Sequence, residues 1–451
     1  MAAQTTIKKL VRNTLAIAIT AASISSYAQG SAVEFLTMKQ DITALASDEM
    51  KGRANFSPEI DQAGNYIAKR FDNIGLSQLA GVKNFKQRFS IFQVAPKSLT
   101  ITLNDQPIAP EHMTIASAQT QFSWQFKQTG KQTEQVNIHV ISAKDDMRSV
   151  IGELNQQGGQ HVVLINPAHK GLFDRYHKYF QSGLIKNELN NDHALVMILT
   201  DVEKATELSI AATAEVKQQQ LTNIVGILPG TEKPNEIVLY SAHYDHLGAN
   251  GEGQIYNGAD DDASGTTAVI NIAEYFAKRA TTKNKRTLMF AAFTAEEIGG
   301  FGSKYFSQQL NPDNVVAMVN IEMIGKPSKF GAGKVWMTGM ERSNLGQLMN
   351  QALEPSNGEI HKDPYPEQRL FYRSDNATLA RLGVPAHSFS STQIDKDQHY
   401  HQTSDDINSL DLKSMHTVIN SLALATQGLV DGSITPTRVD TSKVKAKGKI
   451  Y

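Results

Sequence analysis

The sequence predicts an α/β fold, a mixed and mostly parallel sheet flanked by helices, with a strand-rich unit inserted into it. Three observations predict it. From Asn223 onward, apolar runs of strand length alternate with helical periodicity. Between Lys97 and Val216 the texture changes to short apolar runs separated by polar, Gln-rich stretches. Acidic and imidazole side chains stand directly after several predicted strands, where open α/β sheets bind their ligands.

In chain order, Val33 to Leu45 reads as a helix. A second helix carries Ile60, Ala63, Ile67 and Phe71 on one face and stops at Gly75. The inserted unit contains the runs Leu99–Leu103, Val136–Ile141, Val162–Ile165 and Leu195–Leu199. In the main domain, Ile237–Tyr240, Leu288–Phe293, Val315–Ile321 and Val384–Phe389 read as buried strands. Ala263–Lys278 reads as a helix, with Val269, Ile272, Ala273 and Phe276 at helical spacing. Leu410 to Leu429 forms a long closing helix, and the tail with Lys443, Lys445, Lys447 and Lys449 is expected to be solvated and mobile. No internal repeat is present.

A chain of 451 residues has room for two or three domains, and 40% hydrophobic with 20% charged residues is a globular composition. The net charge of -1 gives no attraction to nucleic acid or to an anionic membrane. Cysteine is absent, which excludes disulfides, thiolate zinc sites and a cysteine nucleophile. Lys8, Lys9 and Arg12, the apolar run Leu15 to Ile24, and Ser26-Tyr27-Ala28 read as a signal peptide cleaved after Ala28. The apolar run is shorter than the ~20 residues a span needs, so no stable membrane insertion is expected. An exported chain without cysteine fits a bacterial periplasmic or extracellular protein.

The chemistry lies in five segments: Ser241-Ala242-His243-Tyr244-Asp245-His246, Gly258-Ala259-Asp260-Asp261-Asp262-Ala263-Ser264-Gly265, Thr294-Ala295-Glu296-Glu297, Asn320-Ile321-Glu322-Met323 and Tyr400-His401-Gln402-Thr403-Ser404-Asp405. Taken singly, each has an ordinary structural explanation. A His-x-Asp pair is commonly a surface hydrogen bond, a Glu pair a solvated helix start, and an Asp run a partner for a helix dipole. Together, at strand ends, they point to one crevice. Histidine and carboxylate without thiolate suit zinc. So many carboxylates repel one another unless cations sit among them, and two neighbouring divalent ions answer that need. Asp245, two residues after His243, is placed to accept the second ring proton.

These segments resemble the family-28 zinc peptidases, which include secreted bacterial aminopeptidases, plasma glutamate carboxypeptidase and glutamate carboxypeptidase II. The resemblance extends to Asp48-Glu49-Met50-Lys51-Gly52-Arg53, to Gly302-Ser303 and to Phe371-Tyr372-Arg373-Ser374-Asp375-Asn376. It implies a zinc-exopeptidase fold over residues 29–96 and 217–435, and an inserted unit at 97–216 that resembles a protease-associated domain. Residues 436–451 remain as the basic tail. It also implies two zinc ions per chain, with His243 and Glu322 holding one, Glu297 and His401 the other, and Asp260 bridging them. Glu296 becomes the general base, Asp245 orients His243, and Asp405 does the same for His401. Many relatives carry Asp where this chain has Glu322, a residue one methylene longer with the same oxygens.

The activity implied is metal-assisted hydrolysis of peptides with a free N-terminus, with Glu296 carrying a proton from the attacking water to the leaving amine. Three alternatives use the same scaffold: a carboxypeptidase or dipeptidase, for which Arg373 is a carboxylate-binding candidate; a glutaminyl cyclase; and a non-catalytic binding protein. The complete ligand set and Glu296 argue against the last two. Side-chain preference and oligomeric state have no readable code.

Overall fold

A computed structural model describes residues 32–127, 136–189, 192–279, 284–356 and 358–451, so the expected signal segment lies outside the described residues. Helix α1 (Phe35–Leu45) buries Met38, Ile42 and Leu45 at helical spacing. Helix α2 (Pro58–Ile74) starts where Ser57 Oγ accepts from the Ile60 amide at 3.3 Å and ends at Gly75, in the left-handed conformation at φ 83°.

The main sheet is 12-stranded. Its centre consists of β9 (Lys233–His243), β10 (Arg286–Phe293), β11 (Val315–Ile321) and β14 (Ala386–Ser390), all parallel in the order β10-β9-β11-β14. Beyond β14 lie β12 (Val335–Met337), antiparallel to it, and β13 (Ile360–Lys362). On the other side, β8 (Glu207–Leu228) runs antiparallel to β10 and pairs along its length with β1 (Lys86–Leu103). Strand alternation divides the core in two. Val238, Tyr240 and Ala242 pack with α1, α2, α5 (Gly265–Lys278) and α9 (Leu412–Ala425), while Ile237 and Leu239 pack with Phe306, Phe371 and Leu379 on the opposite face.

The β1–β8 ribbon continues past residues 97 and 217, with a register shift at Lys97 opposite Thr213 and Ala214, and carries the inserted unit. A separate four-stranded sheet stands there, ordered β2 (Met113–Ser117), β7 (Ala194–Leu199), β5 (Gln160–Ile165), β4 (Asn137–Ile141). Helices α3 (Met147–Gln157) and α4 (Lys170–Gln181) cover it, so the insert is itself α/β rather than purely strand-rich. Strands β3 (Gln121–Lys127) and β6 (Leu184–Lys186) pair with β8 and β1.

Two sequence expectations require correction. The closing helix breaks at Thr426, whose hydroxyl bonds back to the Leu422 carbonyl at 2.8 Å and accepts from the Tyr240 hydroxyl at 2.8 Å. The lysine-rich tail is docked rather than loose. The Lys449 amide donates to Asn155 O at 2.8 Å, Ile450 is 1% exposed, and Tyr451 meets the Phe180 ring edge-on at 5.1 Å. Apolar residues spaced among the lysines anchor the segment, and Lys447 Nζ and Lys449 Nζ donate to the carbonyls of Gly299 and Gln157 at 3.0 and 3.2 Å.

Arg53 ties the N-terminal helices to the strand ends. It is fully buried and donates to four main-chain carbonyls: Tyr244 O (2.8 Å), Leu45 O (2.7 Å), Asn257 O (2.6 Å) and Gly258 O (2.9 Å). Neighbouring Gly52 has φ 67°, and a Cβ there would lie 2.1 Å from Tyr256 O. Arg53→Met strips a charged donor from buried acceptors, and each such bond contributes ~1.5–3 kcal/mol. The expected result is a loss of about 3 kcal/mol or more, read as a lower denaturant midpoint at unchanged slope.

Candidate metal centre

Three of the five chemical segments lie where a central parallel strand ends, and the other two, around Asp261 and His401, reach the same place from loops. His243 is the last residue of β9, Glu322 follows β11, and the Glu296-Glu297 pair follows β10. Ala295, Met323 and His401 adopt positive φ of 60°, 50° and 56°. Non-glycine residues are rarely held there unless their surroundings enforce it, and such positions gather at functional sites. The Asp261–Asp262 peptide is cis.

One carboxylate lies at the centre. His243 Nε2 is 3.2 Å from Asp261 Oδ1 and 3.2 Å from Glu322 Oε1. On the other side, His401 Nε2 lies 3.2 Å from Asp261 Oδ2 and 3.2 Å from Glu297 Oε2. His246 Nδ1 is 2.8 Å from Glu297 Oε1 and 3.9 Å from Asp261 Oδ2. Two donor sets with ligand atoms within 4.8 Å result, His243–Asp261–Glu322 and His246–Asp261–Glu297, sharing Asp261. His401 Nε2 and His246 Nε2 are buried without a hydrogen-bond partner.

The residue expected to bridge, Asp260, is elsewhere. Its Oδ1 accepts from the Gly325 amide at 2.7 Å, and its Oδ2 accepts from Thr392 Oγ1 at 2.6 Å with Lys326 Nζ at 3.4 Å. Burial raises its pKa to about 7 against the pull of Lys326. Asp262 meets main-chain amides rather than imidazoles, accepting from Gly265 and Met323 at 3.0 and 3.1 Å and from the His243 amide at 3.4 Å. Of the three consecutive carboxylates, only Asp261 faces the histidines.

Two orienting roles differ in detail from expectation. His243 Nδ1 lies 3.1 Å from the main-chain carbonyl of Asp245 and 3.7 Å from its carboxylate. That carboxylate accepts instead from the Glu296 and Glu297 amides at 3.1 and 3.3 Å and from Asn55 Nδ2 at 2.7 Å, which fixes the Glu pair. Asp405 does not bond His401. It accepts from the Asp260 and Asp261 amides at 3.2 Å, and Lys326 links it with Asp260 and Asp397. His401 is oriented by Tyr400, stacked on its ring at 4.0 Å. Glu322 accepts from Ser374 Oγ.

The electrostatics follow from crowding. Burial drives Glu296 well above the usual carboxylate range, with Glu322, Asp375 and Glu297 adding to the rise and His243 opposing it. Burial also raises Asp261, but the His243 and His401 rings overcome it and hold this carboxylate far below its usual range. Contact with Asp261 and Glu297 raises His401 to about 10. Surplus negative charge makes His401, and His243 against its own burial, hold a proton, a role that a metal cation fills equally well.

The site brings together His243, Glu297, Glu322 and His401 as the sequence proposed, with Glu296 beside them. Asp261 takes the place given to Asp260, and His246 is an addition. His246 stands in the same strand-end segment as His243, and that was its available signal. Among the described residues, no helix is long and apolar enough to cross a membrane.

Residues 223–426 match the model described as peptidase family M28. A probable zinc metalloprotease of Pyrenophora tritici-repentis is 36% identical over 112 residues, covering 23% of this chain and 24% of its own length. Aminopeptidase NAALADL1 of Mus musculus is 26% identical over 124 residues, covering 26% of this chain and 16% of its own length. The chain thus spans about a quarter or less of the length of these curated relatives. Among solved structures, an aminopeptidase from Aneurinibacillus sp. strain AM-1 superposes with TM-score 0.52 at 17% identity, over 92% of this chain and 97% of that one. A zinc aminopeptidase from Bacillus subtilis gives TM-score 0.52 at 15% identity, over 92% and 99%. These likenesses establish the fold, and with the sequence match over the strand-end segments, residues 223–426 belong to peptidase family M28.

Proposed function

We propose that the protein is an exported zinc exopeptidase that removes N-terminal residues from peptides. The observation that carries this reading is Asp261, one carboxylate placed between two histidine–carboxylate sets. The donor chemistry fits zinc, and the orphaned His401 Nε2 amid surplus negative charge supports bound cations rather than a hydrogen-bonded acidic cluster. His243, Asp261 and Glu322 would hold one ion, and Asp261, Glu297 and His401 the other, with His246 holding the second oxygen of Glu297. When bound, zinc supplies Lewis acidity that polarises the scissile carbonyl and lowers the pKa of water.

This chain's own residues do the rest. Glu296, with its pKa raised by burial, takes a proton from the attacking water and returns it to the leaving amine. The Asp245 carboxylate keeps the Glu296 and Glu297 amides in register. A cleft of about 250 Å³ opens beside the cluster, walled by Met323, Trp336, Leu370 and Ile394, and is sized for a single side chain. The acidic cluster accounts for an amine at the same end of the substrate. Export rests on the N-terminal sequence alone, and residues 97–216, which carry a separate four-stranded sheet and also add strands to the main one, are read as the inserted unit.

Arg373 lines the same cleft, with Nη2 3.4 Å from the Tyr400 hydroxyl, and this favours carboxypeptidase activity as the second reading. Paired peptides decide between them. A charged amine held in the cleft contributes ~1.5–3 kcal/mol, so an N-acetylated peptide is expected to be cut roughly 10–100-fold more slowly than its free twin. Product masses showing equal shortening of both twins from the C-terminal end would establish the carboxypeptidase.

A further inference from the structure

A second cavity, of about 780 Å³, lies between the inserted unit, the helix after the Glu pair and the C-terminal segment. Three separate stretches each send a lysine to its wall: Lys186 at the end of β6, Lys304 in α6 (Phe301–Gln308), and Lys447 of the tail. Lys449 adds a fourth, more open to solvent, against the side chain of Glu188 and the terminal carboxylate of Tyr451. Among the described residues, none of these lysines has a carboxylate within ion-pairing distance, although the chain pairs many of its other lysines. Lys186 Nζ and Lys447 Nζ instead donate to the carbonyls of Ile450 (2.6 Å) and Gly299 (3.0 Å).

The geometry points to this cavity as a binding site for an organic carboxylate with an apolar body. Clustered ammonium groups in a concave wall raise the local concentration of an anion. Burial, and then the charges of Lys304 and Lys447, lower Lys186 to about 8, and burial likewise lowers Lys304. An anion among them relieves both costs. Beside the lysines the wall carries an apolar stretch of Leu184, Ile298, Phe301 and Ile450, with Gln93, Asn187, His193 and Gln308 as polar neighbours, and the volume far exceeds that of an inorganic ion. A carboxylate attached to an aliphatic chain satisfies both parts, which inorganic phosphate does not. The cavity also touches the catalytic turn, since Gly299 accepts from Lys447 and its amide donates to Glu296 O at 2.9 Å.

The test is calorimetric titration of the full, metal-loaded chain with N-acetyl-leucine, hexanoate and inorganic phosphate in turn. N-acetyl-leucine identifies a peptide-type source of the carboxylate and hexanoate a fatty-acid source. Binding of either one supports the site if Lys186→Met and Lys304→Gln each weaken it at least tenfold while the thermal midpoint and turnover stay at wild-type values. Carboxylate binding unchanged in both variants places it in the metal cleft and overturns the proposal. Phosphate binding as tightly as either carboxylate, with the same lysine dependence, also overturns it.

Discussion

Glu296→Gln is expected to lower turnover by about 10²–10⁴-fold, the usual contribution of a general acid–base group, while leaving metal content unchanged. Glu296 makes no close contact with His243, His246 or His401, and it belongs to neither donor set. Its main-chain amide is held by Asp245 Oδ1 at 3.1 Å, so the side chain can change without moving the turn. Glutamine matches the shape of glutamate but cannot carry a proton. Rate and metal content measured on the same preparation check the result. Glu297→Gln provides the contrast, because Glu297 Oε1 and Oε2 face His246 and His401 at 2.8 and 3.2 Å. Its expected signature is loss of metal from one site together with loss of rate. Metal loss in Glu296→Gln with retention in Glu297→Gln would exchange the two roles.

Asp261→Asn is expected to have the largest effect of any single replacement. Its two oxygens face His243 and His401 on opposite sides at 3.2 Å, so removing the charge weakens both proposed sites at once. Turnover should fall by on the order of 10⁴-fold or more, beyond what loss of one acid–base group produces. Asp260→Asn separates position from charge. Asp260 is bound by Gly325, Thr392 and Lys326, away from the histidines. Its replacement should lower stability by about 1–3 kcal/mol, the cost of disturbing a buried polar partner, and leave bound metal in place. Circular dichroism and the thermal midpoint of both variants distinguish a lost site from a lost fold.

Much of this architecture was legible because its strands are buried on both faces and read as continuous apolar runs. Val315–Ile321 appears with the bounds the sequence suggests, and Leu288–Phe293 extends by two residues to Arg286. The strand ends were legible for the same reason, and with them His243, Glu296, Glu297 and Glu322. The choice among Asp260, Asp261 and Asp262 was not. Direction within a three-residue turn is set by backbone dihedrals that no periodicity encodes, and Asp261 and Asp262 have φ of -107° and -128° outside helical values. The same limit hid the division of labour at Asp245, where the carbonyl serves His243 and the carboxylate serves the Glu turn. Lys326 gave no signal, since its partners Asp260, Asp397 and Asp405 lie 66 to 79 residues away along the chain or meet it only through the fold. The tail misled because its lysines outnumber the buried Val444 and Ile450 that anchor it.

We propose that one carboxylate, Asp261, joins two metal sites. Metal per chain, measured by elemental analysis after gel filtration with zinc, tests it directly across wild type, Asp261→Asn and Asp260→Asn. Two equivalents are expected in wild type and in Asp260→Asn, and well under one in a folded Asp261→Asn. Two equivalents retained by Asp261→Asn, with loss in Asp260→Asn, would contradict it.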